Sequence, residues 1–304
     1  GSALLALTQA GEMTLQLPEV TDGVLELGEV VWREYTGAFD VVVDGTNVYG
    51  VTGTRDGNYY SESDLVVWTL GEPGQGLAEV GRTRFPCGVN GIVPYDLSVS
   101  GAGAYVICGS YNDRRVEVLD LTDLTSPRHT ATLGTQVGIY HTAATGQQLI
   151  LGSQRQVLNR TVVQFAGFPR PVGDTAAPSW RHDPSLVPTD VRLTGSLLYL
   201  WDDRGSMQLL DVGFRDGFSP VRLPELPGGA LASTDAPPAS GGFLVLPTAA
   251  GVVLLGAPDG RDGPATPPRV RGRLLASPTP LSGAAILPQG AVLLDPRRIL
   301  TVPF

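Results

Sequence analysis

A short pattern that recurs along the chain constrains its fold more than any other feature. In four places an Asp or a His is followed by four residues and a Gly, and an apolar run then begins within a few residues. The four segments span residues 40–45, 96–101, 141–146 and 190–195. Each continues through a polar turn into a third apolar run. With a fourth run, clearest at 77–83, 129–133 and 221–226, each segment predicts a unit of four short β-strands.

The pattern continues in weaker form at 242–275 and 284–304. A Gly before the second strand marks each unit: Gly45, Gly101, Gly146, Gly195, Gly241 and Gly283. The steps between these glycines run from 42 to 56 residues. Four-stranded units with this period are typical of β-propeller blades, because each twisted sheet must bury its faces against its neighbours. We therefore predict an all-β propeller of four-stranded antiparallel blades.

The number of blades depends on the first 37 residues, which contain three more apolar runs, ALLAL, MTLQL and VLELGEVVW. Because these runs amount to most of another blade, we favour seven blades over six, with N- and C-terminal strands closing the ring in one sheet. Residues 1–304 are predicted to form one domain. Residues 1–10 are either a tag scar or the remnant of a signal peptide.

Charge and composition exclude several classes of function. The net charge of −9 argues against nucleic acid as a partner, because phosphate binding needs a basic surface. No run of 18 apolar residues occurs, so we predict no transmembrane segment. All 21 basic residues are Arg, which excludes lysine-based chemistry. The two cysteines, Cys87 and Cys108, permit one disulfide and are equally compatible with two buried thiols.

One repeat carries a family resemblance. Residues 96–133 combine Asp96 and Gly101 in the first strand, a Tyr-Val pair in the second, and the run VEVLDLTDLTSP at 116–127. In these pieces the chain resembles the LVIVD-repeat β-propellers of bacterial surface and secreted proteins. The resemblance implies a propeller architecture and an extracytoplasmic place, in the periplasm or on the cell surface, while a cytoplasmic place stays open. It supplies no catalytic residues.

Motifs of the common enzyme classes are absent from the sequence. Three His residues form no H-E-x-x-H pair, and no G-x-S-x-G elbow or phosphate-binding loop occurs. These absences favour a protein without catalytic activity. We therefore predict a binding or scaffold module of the bacterial cell envelope, with a protein or an envelope polymer as its partner.

The position that begins each repeat is a candidate metal site. It holds Asp40, Asp96, His141 and Asp190, and the first strands of propeller blades line the central channel. Three carboxylates and an imidazole could bind a divalent cation there, Ca²⁺, Mn²⁺ or Zn²⁺. The alternative function is then a metal-dependent hydrolase or lyase. Under the other interpretation these side chains accept hydrogen bonds from backbone N–H groups and tie the blades together.

Two further segments are candidate contact loops. The stretch 56–64 offers oxygen atoms and two aromatic side chains in Asp56, Asn58, Tyr59, Tyr60 and Asp64. Its spacing differs from that of an EF-hand, so it is either a solvated hairpin tip or a Ca²⁺ or partner contact. The run Trp180, Arg181 and His182 lies in a Pro-rich connection and suits either a contact surface or the cap of a blade.

Overall fold

The computed structural model of the chain describes residues 4–7, 11–21, 24–56, 59–71, 76–87, 93–110, 113–134, 138–158, 160–202, 204, 206–222, 239–240, 243–248, 251–256, 269–274, 283–287, 290–295 and 298–303. The chain divides into two compact units. Unit 1 holds Gly1–Leu17 and Gly28–His182, and unit 2 holds Pro18–Leu27 and Asp183–Phe304. Across the described ranges no helix is both long and apolar enough to span a membrane.

The regular structure of unit 1 includes three consecutive four-stranded antiparallel sheets. Sheet 2 consists of β4 (Ala38–Asp44), β5 (Asn47–Asp56), β6 (Tyr59–Leu70) and β7 (Leu77–Phe85). Sheet 3 consists of β8 (Val93–Ser100), β9 (Gly103–Ser110), β10 (Asp113–Asp120) and β11 (Arg128–Gly134). Sheet 4 consists of β12 (Ile139–Ala144), β13 (Gln148–Val157), β14 (Arg160–Pro169) and β15 (Trp180–His182). In each sheet the strands follow chain order, so neighbours in sequence are neighbours in space.

Three sheets follow in unit 2. Sheet 5 consists of β16 (Asp190–Thr194), β17 (Leu197–Trp201), β18 (Met207–Asp211) and β19 (Ser219–Val221). Sheet 6 consists of β20 (Ala239–Ser240), β21 (Phe243–Thr248), β22 (Gly251–Gly256) and β23 (Arg269–Leu274). Sheet 7 consists of β24 (Gly283–Leu287), β25 (Gly290–Asp295) and β26 (Arg298–Pro303).

Sheet 1, at the start of the chain, consists of β1 (Leu4–Leu7), β2 (Glu12–Thr21) and β3 (Val24–Tyr35). Among the described strands those of the two chain ends lie in separate sheets, β1–β3 and β24–β26. The predicted sheet that mixes N- and C-terminal strands is therefore not formed within the described ranges. The number of blades stays a prediction.

The repeated glycines make the turn from the first to the second strand. Gly45, Gly101 and Gly195 have φ of 63°, 55° and 61°, in the left-handed region where a side chain is strained. Each sits in the short turn that lets the second strand return along the first. The spacing from Asp or His to Gly in the repeat is therefore the distance along the first strand from that residue to the turn.

The cores lie between neighbouring sheets rather than within them. On β9, Ala104, Val106 and Cys108 pack toward sheet 2, whereas Tyr105 and Ile107 pack toward sheet 4. Because successive side chains of a strand point to opposite faces, a strand between two neighbours needs apolar residues at every position. This explains the uninterrupted run AYVIC at 104–108.

Candidate functional site

The four residues of the predicted metal row lie on the first strands of four consecutive sheets. Asp40 is on β4, Asp96 on β8, His141 on β12 and Asp190 on β16. Within unit 1, β4 packs beside β8 and β8 packs beside β12, so three of the four positions follow one another on adjacent strands.

A β-bulge precedes this position in all three four-stranded sheets of unit 1. The pairing of the first strand with the second skips one residue immediately before Asp40, Asp96 and His141. The skipped residues are aromatic: Phe39, Tyr95 and Tyr140. A bulge bends its strand and redirects the following side chain, so the aromatic residue before the Asp or His belongs to the repeat. Sequence reasoning missed this signal, although the pairs Phe-Asp, Tyr-Asp and Tyr-His are visible in the sequence.

The carboxylates of Asp40 and Asp96 reach into the next sheet. Oδ2 of Asp40 accepts a hydrogen bond from the backbone N–H of Leu97 at 3.0 Å. Oδ2 of Asp96 accepts one from the backbone N–H of Thr142 at 2.7 Å. In both cases the donor is one residue beyond the equivalent position of the following sheet. These contacts agree with the interpretation of the row as ties between blades.

Asp190 of unit 2 is engaged locally. Its Oδ1 accepts a hydrogen bond from the N–H of Val191 at 2.6 Å, and its Oδ2 lies 3.2 Å from Nη2 of Arg192. No group of three or more His, Cys, Asp or Glu side chains suited to hold a metal ion occurs among the described residues. A metal ion bound by Asp40, Asp96, His141 and Asp190 stays a prediction, and measuring the metal content of the purified protein tests it.

Cys87 and Cys108 form a disulfide with a Cα–Cα distance of 5.7 Å. Cys87 follows the last strand of sheet 2, and Cys108 lies on the second strand of sheet 3. Both are buried in the cluster between the two sheets, with Phe85 and Leu97 among their neighbours. The disulfide therefore links the connection between the two sheets covalently to sheet 3.

Two buried or half-buried arginines join sheets 3 and 4 at opposite ends of β12. The Arg114 guanidinium donates to the carbonyl oxygen of Ile139 and lies 4.2 Å from the ring centroid of Tyr140. Arg170 donates to the carbonyl oxygens of Thr145 at 2.6 Å and Ser100 at 2.9 Å. These polar ties add directional contacts to the apolar core between the sheets, so relative motion of the two sheets breaks several bonds at once.

A polar cluster around the buried Glu117 in sheet 3 was not visible in the sequence. The carboxylate of Glu117 has no exposed side-chain area and lies 2.6 Å from Nε of Arg115 and 2.8 Å from Nε2 of His129. The hydroxyl of Thr132 donates to the same carboxylate at 2.6 Å. The residues share one face of the β10–β11 pair, so the cluster fixes the register of these two strands.

The turn after β10 is built from two consecutive Asp-Leu-Thr steps. Oδ1 of Asp120 accepts hydrogen bonds from the N–H and hydroxyl of Thr122, and Oδ1 of Asp123 accepts them from Thr125. The hydroxyl bonds, followed by the backbone bonds, lower the pKa of both carboxyls. The run that carries the LVIVD resemblance is therefore the end of β10 followed by a hydrogen-bonded turn.

The first candidate contact segment is mostly strand. The sequence predicts a loop at 56–64, whereas β5 reaches Asp56 and β6 begins at Tyr59, with Asp56 opposite Tyr59 and Arg55 opposite Tyr60. The loop is short because the two strands continue their pairing outward. Asn58 lies outside the described residues. Asp64 binds Arg82 and Arg84 at 3.1 and 3.3 Å, so its oxygens are already engaged by guanidinium groups.

The second candidate segment closes a blade. Trp180, Arg181 and His182 form β15, the outermost strand of sheet 4. Trp180 is buried, packs over Gly167, and donates from Nε1 to Oε1 of Gln148 at 2.6 Å. Trp180 therefore fits the interpretation of this run as the cap of a blade. Arg181, in contrast, is exposed.

The β13–β14 hairpin ends in exposed apolar residues. Pairing between its strands continues out to Val157 and Arg160. At its tip Leu158 is 94% exposed and has φ of 48°, which costs a leucine about 1 kcal/mol or more. The hairpin tip therefore presents an apolar side chain to solvent in a conformation that lowers stability.

Comparisons with known proteins establish the fold. No family model matches the chain, and no curated protein matches it. Among solved structures, a crystal structure of Sqt1 from Chaetomium thermophilum is 14% identical, with a TM-score of 0.55, and the match covers 100% of this chain and 81% of that one. A second crystal structure of Sqt1 from Chaetomium thermophilum gives 14% identity, coverage of 100% and 79%, and a TM-score of 0.51. A chain of the mitotic checkpoint complex gives 11% identity, coverage of 98% and 88%, and a TM-score of 0.50.

The chain is an all-β propeller of four-stranded antiparallel sheets, and its fold is similar to those of Sqt1 and of this chain of the mitotic checkpoint complex. The prediction of the fold class is confirmed. The LVIVD resemblance has no support from the family comparison, because no family model matches.

Proposed function

We propose that this protein is a non-enzymatic binding module that holds a protein partner on the projecting hairpins of a propeller scaffold. The observation that carries the proposal is the use of the first-strand carboxylates. The Oδ2 atoms of Asp40 and Asp96 accept hydrogen bonds from backbone N–H groups of the next sheet. The groups best suited to chemistry therefore hold the scaffold together, and the features left for contact are hairpins and loops.

The fold supports this proposal by analogy. Similar propellers occur in assemblies, since one of the solved structures with this fold is a chain of the mitotic checkpoint complex. At 11% identity this likeness concerns the fold, and the step from fold to partner binding is ours. On this molecule we place the partner-binding site at the exposed tip of the β13–β14 hairpin.

We further propose that the protein works outside the cytoplasm of a bacterium, in the periplasm or at the cell surface. The disulfide between Cys87 and Cys108 supports this location, because such bonds persist in oxidising compartments and are rare in the cytosol. In that setting the partner is a protein of the cell envelope.

Affinity purification from cells of the source organism, with quantitative mass spectrometry, tests the binding proposal. We compare the wild type with two variants that place a charge on an exposed apolar residue. Leu158→Asp lies at the tip of the β13–β14 hairpin, and Val43→Asp lies near the end of β4, before the turn to β5. Leu158 is 94% exposed and Val43 56% exposed, so both variants are expected to fold. The proposal predicts a partner that the wild type and Val43→Asp retain and Leu158→Asp loses. Retention of no specific partner from soluble and membrane fractions contradicts it.

A further inference from the structure

We infer that the face of sheet 4 turned toward sheet 3 carries a groove for an extended acidic segment of the partner, which inserts one apolar side chain into a cavity at the base of the β13–β14 hairpin. This inference rests on the proposed function and names the chemistry of the segment that binds. It begins from a cavity that the described residues leave open.

The cavity lies between β11 and the strands β13 and β14 and has a volume of about 250 Å³. Its apolar walls include Leu133, Ile139, Leu151 and Phe168, all of them buried residues. Pockets for whole small molecules usually exceed about 300 Å³, so this volume suits a single side chain better than a cofactor. A Leu or Phe side chain matches both the size and the apolar lining.

The same face continues outward from the cavity onto the hairpin. Residues directly opposite in antiparallel strands share a face, and so do residues two apart along a strand. Ala166 is opposite Leu151, Gln164 is opposite Ser153, and Arg160 is opposite Val157. The cavity and the exposed part of the hairpin therefore form one continuous surface.

Two arginines give this surface a positive charge. Arg181 is opposite Ala166 and lines the cavity, and Arg160 lies near the hairpin tip. Both side chains are exposed, and neither forms an ion pair within the described part of the chain. On a molecule with a net charge of −9, two unpaired cations on one face select a negatively charged partner.

The edge of β14 explains why the segment should be extended. The outermost strand β15 pairs with β14 only at residues 165–167, whereas β14 begins at Arg160. On that edge no described strand pairs with residues 160–163. An extended segment can add there as a strand in line with β15, which places alternate side chains on the face that holds the cavity.

Selection from a display library of random dodecapeptides on the immobilised wild-type protein tests the inference. The enriched peptides are expected to share one large apolar residue with Asp or Glu beside it. Their Kd, measured by fluorescence anisotropy, should rise about tenfold or more for Arg181→Glu, which repels the carboxylate, and for Ala166→Phe, which fills the cavity. Arg222→Glu, at an exposed arginine next to β19, should leave the Kd unchanged.

A charge swap makes the test specific. Peptides with Lys in place of the acidic residue should bind Arg181→Glu more tightly than they bind the wild type. If Ala166→Phe does not fold, as judged by its thermal transition, the Kd of Arg181→Glu, at the edge of the cavity, tests the inference alone. Enriched peptides without the apolar and acidic pattern, Kd values that Arg181→Glu does not change, or no enriched peptide at all would each overturn the inference. A partner retained in the purification despite such a result leaves the binding proposal standing, whereas failure of both experiments removes both.

Discussion

At the scale of single residues, the first-strand Asp has a role that depends on the neighbouring sheet. Asp96 and Thr142 are 46 residues apart in sequence, and their hydrogen bond exists only because two first strands pack side by side. Asp40 makes the equivalent bond to Leu97. A carboxylate in this position satisfies a backbone donor that water reaches poorly, which is a reason to keep Asp there without catalysis.

Replacing Asp96 by Ala should therefore lower the free energy of unfolding. The change leaves the N–H of Thr142 without its acceptor, which costs about 1–3 kcal/mol. Asp96→Asn keeps an acceptor oxygen and should cost less. Urea denaturation measures both, with Asp216→Asn as the control, because Asp216 is exposed and should change stability by less than about 0.5 kcal/mol. Equal stability of Asp96→Ala and the control would refute the role as a tie.

A second residue-scale prediction concerns the repeated glycines. Gly101 has φ of 55° and nothing within 4 Å of an added Cβ, so Gly101→Ala tests backbone strain alone. It should lower the free energy of unfolding by about 1–2 kcal/mol. Gly146 holds the equivalent place in sheet 4, also has open space around it, and is not among the glycines with positive φ. Gly146→Ala is therefore the matched control, and a loss of stability as large as that of Gly101→Ala would contradict this explanation.

At the scale of strands and turns, the sequence predicted what depends on local periodicity. The apolar runs and the Asp-to-Gly spacing predict the strands of sheets 2 to 5, and β9 shows why its run is uninterrupted: both its faces are buried. The contacts of Arg114, Arg170 and Glu117 were not predicted, because they depend on register and on residues up to 70 positions away. Polar residues dominate the segment 56–64 and predict a loop, although its strands stay paired as far as Asp56 and Tyr59.

The disulfide acts at this scale, since it joins the end of sheet 2 to the second strand of sheet 3 across 21 residues of chain. Removing both thiols, by Cys87→Ala with Cys108→Ala, should lower the free energy of unfolding by about 2–4 kcal/mol. Urea denaturation with and without a reducing agent checks this. The reductant should bring the wild type near the double variant and leave the variant unchanged. A wild type that does not respond to the reductant would contradict a stabilising disulfide.

At the scale of the whole molecule, the period of the repeat was enough to predict the fold class. Each four-stranded unit exposes two apolar faces and must pack against its neighbours, and only a few architectures satisfy that requirement at this period. Function did not follow in the same way, because propeller scaffolds host many functions and the deciding features are contacts at their surfaces. The exposed leucine of the β13–β14 hairpin and the cavity at its base become visible only with strand register and burial.

The central claim is that the first-strand carboxylates of Asp40 and Asp96 serve the scaffold and not a metal centre. Plasma mass spectrometry of protein purified without chelator or affinity metal tests this most directly. The claim predicts no metal near one equivalent, in the wild type and in Asp96→Asn alike. Ca²⁺, Mn²⁺ or Zn²⁺ near one equivalent in the wild type, and its loss in Asp96→Asn, would contradict the claim and support a metal-dependent hydrolase or lyase.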